Sequence, residues 1–239
     1  MGVKYKMNKI RPLIEFATKC LCRLKKNRKI KCFSENAVKI NLGCGLSVAK
    51  GWINVDGSLN ALVASLPNIL YRIVYRTTGA NRYYSCDEYC TILGDHLFVH
   101  HNLAYGIPFE DQSADFVYSS HFLEHLHKNE ALNLLCESHR VLKKGGTIRV
   151  SVPDLSYAIA LYEKGSKEQM LESYFFIDDK GSNFSRHKYM YDFELLKTNL
   201  EEVGFKNVIR CTYQKGMTPD LDVLDNRPED SLYIEALRG

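Results

Sequence analysis

The sequence predicts an α/β fold, and three observations carry that prediction. Val38-Lys39-Ile40-Asn41-Leu42 is a short apolar-rich run ending on Gly43-Cys44-Gly45, the strand-into-glycine arrangement that opens nucleotide-binding α/β domains. Trp52-Ile53-Asn54-Val55-Asp56 reads as a second strand that finishes on a carboxylate. From there, strand candidates and helix candidates follow one another to the end of the chain, as expected for a mostly parallel sheet covered by helices.

The first two strands already describe a site. Glycine lets the backbone turn sharply and lets a ligand approach with no Cβ in the way. A carboxylate at the tip of the second strand is placed to accept both hydroxyls of a ribose. Asp56 follows Gly43 by only 13 positions, where a dinucleotide fold uses about 20, so the crossover holds one helical turn at most.

Composition bounds the rest. At 239 residues, 45% hydrophobic and 25% charged, the chain is an ordinary globular one with enough length for a sizeable core. The net charge of +4 is unevenly spread: residues 1–35 carry eleven Lys/Arg against Glu15 and Glu35, a local +9 that leaves −5 for the remainder. The division expected is a basic arm over 1–36 and a mildly acidic domain over 37–239, with 58–95 inserted near the site. In the arm, Ile10, Leu13, Ile14, Ala17, Cys20, Leu21 and Leu24 recur at helical spacing. Two readings stand: a membrane-surface helix drawn to anionic lipid, or a leading helix that covers the site or packs on the sheet. The arm carries no nucleic-acid recognition motif. Eight cysteines without a disulfide pattern suit reduced cytosolic thiols. Ile10–Leu24 is too charged for a signal peptide and too short to span a bilayer.

Ser58–Arg76 has one apolar face and reads as helix, with Pro67 kinking or splitting it. Gly79–Cys90 reads as a tyrosine-rich loop (Tyr83, Tyr84, Tyr89) whose rings could stack on sugars. His96–His100 is the third strand, leading to Asn102-Leu103. Asp115–Ser120 is the fourth, and His121-Phe122-Leu123-Glu124-His125-Leu126 leads from it into helix Asn129–Leu142, with Leu132, Leu135, Cys136 and His139 inward. Lys143-Lys144-Gly145-Gly146 reads as the stop of that helix, and Thr147–Val152 as the fifth strand. Helices Leu155–Glu163 and Phe193–Val203, and a closing strand pair at Val208–Tyr213 and Leu232–Ala236, complete the chain. Asp154 is a helix cap in this reading. There is no GxxxxGK[ST] phosphate loop.

The strand ending in G-x-G with its strand-end Asp56 resembles the first motif of class I S-adenosylmethionine (SAM) dependent methyltransferases. NLGCG followed by GWINVDGS, the passage RVLKKGG-x-IRVSVPDL and the loop Pro219–Pro228 are similar to a bacterial-type subfamily linked to surface-glycan biosynthesis. Two features depart from the pattern: Ser47 stands at the usual third glycine, and Asn102 where an Asp usually takes the adenine amino group. The resemblance, which covers roughly residues 38–239, implies a Rossmann-like three-layer sandwich with a seven-stranded, mostly parallel sheet and an antiparallel last strand. It implies SAM as cofactor, held by Asn41, Gly43, Cys44, Gly45, Asp56, Gly57, Asn102, Leu103, Ser119, Ser120 and His121.

Methyl transfer is an in-line displacement that chiefly needs two reactants held on one axis, and a hydroxyl acceptor also needs a base near neutrality. His121, His187 and His125 are the candidates. Some related enzymes carry E-x-x-E-H where this chain has His121, Glu124 and His125, and hold a divalent ion there. This chain has His121 where those have a Glu, and His187 as a candidate fourth ligand, a set that suits zinc, iron or manganese better than magnesium. Against that, the Glu-His pair occurs in many metal-free relatives, and no metal is expected. The function expected is O-methylation of a sugar or glycan intermediate in the cytoplasm, with peripheral contact at the inner membrane face through residues 1–31. The alternatives are methylation of a small non-sugar metabolite, or a silent scaffold in glycan assembly.

Overall fold

The computed structural model describes residues 18, 20–31, 36–175 and 186–239. Most of the arm's apolar stripe, Ile10 to Ala17, lies outside the described residues.

Seven strands, β1 (Lys39–Leu42), β2 (Trp52–Asp56), β3 (Leu97–His100), β4 (Ala114–Ser120), β5 (Leu142–Pro153), β6 (Phe205–Cys211) and β7 (Ser231–Arg238), form one sheet. Their order is β3-β2-β1-β4-β5-β7-β6. The pairs among β3, β2, β1, β4 and β5 are parallel, and β7 runs antiparallel to both β5 and β6. This is the seven-stranded Rossmann-like sheet expected, with its antiparallel last strand. The order reverses between β1 and β4, so the crevice outside their carboxyl ends is where such a sheet takes a ligand.

Periodicity explains the elements. β1 is buried at Ile40, Asn41 and Leu42 because both of its faces are covered. The β1–β2 connection contains no helix and turns through left-handed Gly43, Gly45 and Gly51. Pro67 splits the next helical segment into Leu59–Ala64 and Ile69–Thr78, since it can neither donate to the preceding turn nor fit against it. The tyrosine-rich stretch is only partly a loop. Ser85 and Glu88 form a reciprocal capping box that starts helix Cys86–Asp95, and Tyr89 on this helix is fully buried, whereas Tyr83 is open to solvent.

Helix Lys128–Val141 buries Ala131, Leu134, Leu135, Ser138 and Val141. Cys136 is exposed, not inward: the inward face is set one position away by Leu134 and Ser138. Lys143-Lys144-Gly145-Gly146 do not stop the helix in a turn; they form the first part of β5, which begins at Leu142 directly after the helix. Asp154 caps helix Leu155–Glu163 by accepting from Ser156 N, and Asp192 caps helix Phe193–Val203 by accepting from Leu195 N. β6 begins at Phe205, three residues before the expected start, directly after the left-handed Gly204. Its pairing with β7 slips between Lys206 and Ile209, with Asn207 left-handed at φ 51°.

The main core runs through Ile40, Leu42, Val55, Val117, Ile148, Val150 and Ile234 of the sheet to Leu134, Leu135, Leu196 and Leu200 of the covering helices. Behind it lies a charged centre. Arg149 on β5 bonds Asp225 at 2.6 Å and Glu235 at 3.2 Å, with all three side chains fully buried. Glu235 also accepts from the Met217 and Thr218 amides, which fastens the 212–226 connection to the sheet.

Among the arm's described residues, Thr18 and Cys22 are buried, while Cys20, Leu21 and Leu24 face solvent. Cys22 Sγ lies 3.3 Å from His100 Nε2 at the end of β3, and Ile30 pairs with Phe109 in a parallel bridge. No described helix is long and apolar enough to cross a membrane.

Candidate active site

The glycine turn is held open by its neighbours. Asn41 Nδ2 donates to Ser47 O at 2.9 Å and to Asn54 Oδ1 at 3.0 Å, so this buried amide shapes the turn from below. Asp56 Oδ2 accepts from Gly45 N at 2.9 Å and Oδ1 from Ser58 N at 2.6 Å. The carboxylate is thereby fixed at the mouth of the turn. A Cβ on Gly43 would lie 2.7 Å from Phe122 Cβ and closer still to its ring. Phe122 thus covers the turn from the β4 side. The Cys44 thiol is buried, which pushes its pKa well up, with the Asp56 charge adding to the rise.

At the end of β3, Asn102 Oδ1 accepts from Ala104 N at 3.0 Å and caps the Leu103–Tyr105 turn, which leaves the oxygen a second lone pair. Leu103 is part of the core. Gly57 faces the His101–Asn102 backbone, where a Cβ would sit 3.4 Å from His101 O. Burial, with the nearby Lys25 charge, holds His100 down to about 4.

At the carboxyl end of β4, Ser119 and Ser120 pair with Val150 and Ser151 of β5, and Ser119 is buried. His121 then takes a left-handed conformation, φ 47°, unusual for a residue with a Cβ. Its amide still donates to Ser151 O, and the turn swings its ring across the sheet end. His121 Nε2 lies 2.8 Å from Ser231 Oγ, and Nδ1 lies 3.4 Å from Glu124 Oε1. His125 does not start the following helix: Leu123–His125 is a separate short turn, and His127 is the helix cap.

The three candidate histidines converge on Glu124. His125 Nε2 is 3.8 Å from Glu124 Oε1 and His187 Nε2 is 4.0 Å from it, with the two rings 5.2 Å apart. The Glu124 side chain is 1% exposed. Burial alone would raise its carboxyl, but the His121 imidazole foremost, then the His125 charge, outweigh it and hold the group below its ordinary range. Burial pushes His187 down. The Glu124 carbonyl accepts from the Lys188 and Tyr189 amides, which anchors the His187 segment to the turn after β4. Beside Ser231 opens a groove of about 440 Å³, lined by Tyr157, Tyr174, Arg227, Glu229 and Asp230 among others.

Sequence reasoning brought together Gly43, Gly45, Asp56 and the β4 end, which the fold does juxtapose. It missed Phe122 over the turn and Ser231 on His121. The second was within reach: an antiparallel β7 must begin where β5 ends, and Ser231 does pair with Pro153.

Residues 67–150 match the family model of a methyltransferase domain. No curated protein is matched. Among solved structures, a SAM-dependent methyltransferase from Archaeoglobus fulgidus is similar with a TM-score of 0.50 and 17% identity, over 99% of this chain and 100% of that one. A SAM-dependent methyltransferase from Thermotoga maritima gives 0.48 and 17%, over 100% and 96%. The domain match over residues 67–150 supports the methyltransferase class expected from the sequence, and the likeness to the solved structure supports the fold.

Proposed function

We propose that the enzyme transfers the SAM methyl group to an oxygen, that of a hydroxyl on a sugar or glycan intermediate. The observation that carries this reading is the set of three imidazoles around Glu124, two residues beyond the Phe122 that covers the glycine turn. An alcohol must lose its proton as it attacks the sulfonium methyl, and imidazole is the side chain suited to take it near neutrality. His125 is the most accessible of the three, 23% exposed, and it is the base in this reading; His121 and His187 orient the cluster. Gly43, Gly45 and Asp56 hold the cofactor, with Asp56 on the ribose. The adjoining groove combines tyrosine faces with carboxylates and Arg227, a lining suited to a polyhydroxyl ligand. The sugar class follows the resemblance of the NLGCG and RVLKKGG passages to glycan-linked enzymes.

The protein acts in the cytoplasm in this reading, and its basic arm supplies the attraction to an anionic inner membrane face; no nucleic-acid partner is involved. The test is incubation of the full chain with methyl-labelled SAM and panels of nucleotide sugars, lipid-linked glycans, catechols and amines. Label in a base-stable sugar ether is expected, and His125→Ala should lower kcat about 100-fold. Label confined to amines or catechols would overturn the substrate class. SAM binding with no turnover on any panel would favour a scaffold.

A further inference from the structure

The crossover that joins β3 to β4 leaves part of the sheet thinly covered. With strands in the order β3-β2-β1-β4, residues 101–113 must pass over β2 and β1. A connection between parallel strands usually carries a helix that covers the face it crosses. This one holds only the short turn Leu103–Tyr105. Ile53 and Leu97 are register partners, as are Val55 and Val99, so all four lie on one face of the sheet, the face of the main core. Toward the β3 edge that face is open: Ile53 and Val99 are half-buried, and Leu97 is 60% exposed.

A cleft of about 530 Å³ lies there. The sheet contributes Val38, Ile53, Leu97 and Val99 to it, with Ile30 and Phe109 beside them, and the arm contributes Lys25, Arg28 and Lys31. No carboxylate is among its described lining residues. Lys31 meets Glu110 only at 3.8 Å, in a largely exposed pair, and among the described residues no ion pair engages Lys25 or Arg28. Lys39, by contrast, is neutralised by Asp220 at 2.6 Å. The three cations are held against the sheet, because Ile30 between them donates its amide to Pro108 O at 2.8 Å and bridges Phe109.

We propose that this cleft seats one acyl chain of an anionic phospholipid, with Lys25, Arg28 and Lys31 around its phosphate, and that the protein docks on a bilayer through this face. Apolar residues alone would accept any hydrophobe, and cations alone any phosphate. The two together fit a molecule with a greasy chain and a negative head. Lasting attachment to a membrane takes two such signals, and each cation near anionic lipid is worth roughly a fivefold gain in partition. The proposal gives a seat to the membrane attraction described above and is independent of the methyl-transfer reading. Lipid docking can therefore fail while binding of S-adenosylhomocysteine, read by calorimetry, stands.

The test is sedimentation of the full chain with vesicles of phosphatidylcholine, alone or mixed in equal parts with phosphatidylglycerol. Binding to the mixed vesicles only is expected. Leu97→Asp changes a mostly solvated side chain, so the fold should survive, as circular dichroism would show, and partition should fall at least tenfold. Lys25→Gln, Arg28→Gln and Lys31→Gln combined should lower it roughly 100-fold. Phosphatidylglycerol carrying a diazirine in its acyl chain should label the Leu97–Val99 stretch or Ile30, a readout that needs no variant. Unchanged partition of Leu97→Asp would overturn the proposal, since charge alone would then hold the protein. Label confined to other surfaces, or equal binding to both kinds of vesicle, would overturn it too.

Discussion

Replacing Gly43 by Ala perturbs the cofactor turn in two separable ways. Gly43 has φ 64°, and holding an alanine in that left-handed region costs about 1 kcal/mol. The new methyl also lands on Phe122, 2.7 Å from its Cβ and nearer still to the ring. The backbone cannot yield, because the Gly43 amide donates to Val55 O at 2.9 Å, so the ring must leave. Phe122 is half-buried against the main core, and losing that contact costs roughly another 1–2 kcal/mol. Gly43→Ala should thus lose about 2–3 kcal/mol of stability, about 5–10 °C in Tm for a chain of this size, and raise the Kd for SAM at least tenfold. A double-mutant cycle with Phe122→Ala isolates the clash. In the Phe122→Ala background, Gly43→Ala should cost only the backbone strain, giving a coupling of about 1–2 kcal/mol. Additivity within about 0.5 kcal/mol in chemical denaturation would refute the reasoning, because Phe122 would then not be what the methyl meets.

Asp56→Ala removes the acceptor for the Gly45 and Ser58 amides; binding of SAM and S-adenosylhomocysteine by calorimetry should fall at least tenfold, about 1.4 kcal/mol or more, in a protein that stays folded. His100 is held down to about 4 by burial, so between its ordinary 6.5 and 4 the unfolded chain binds a proton that the folded one refuses. Stability should therefore fall as pH drops through that window, by up to about 3 kcal/mol from this group, and His100→Gln should flatten the decline in denaturant titrations at pH 7 and 5. Arg149→Met leaves Asp225 and Glu235 buried without their cation. It should cost about 3–5 kcal/mol, and a loss under about 1 kcal/mol would show that the network contributes little.

The parts legible from the sequence were those with strong local chemistry. The strand-glycine junction, the short β1–β2 crossover, the break at Pro67, and the cap at Asp154 all follow from what one or two residues permit. Elements decided by distant neighbours were harder. Tyr89 looked like a loop aromatic because the capping box at Ser85 and Glu88 was not recognised, and without that box the turn of helix that buries it has no visible start. Cys136 was placed inward because apolar character was counted, while Ser138 earns its buried place by donating to Leu134 O within the helix. At the site, the histidines stood out by type, but the convergence of His187 with Glu124 crosses 63 positions of chain and depends on backbone bonds that no periodicity records.

The slipped pairing of β6 has a bearing on how the molecule behaves in a crowd. β6 is an outer strand of the sheet, and an outer strand offers unpaired amides and carbonyls to any other chain. Here the ladder breaks between Lys206 and Ile209, Asn207 twists the backbone out of line, and Lys206 and Arg210 stand exposed along it. A second strand docking there would have to follow a kinked template while setting its own charges against two cations. The opposite border, β3, is only four residues long, too short to hold a stranger in register. Both margins of the sheet are thus poor seeds for fibrils.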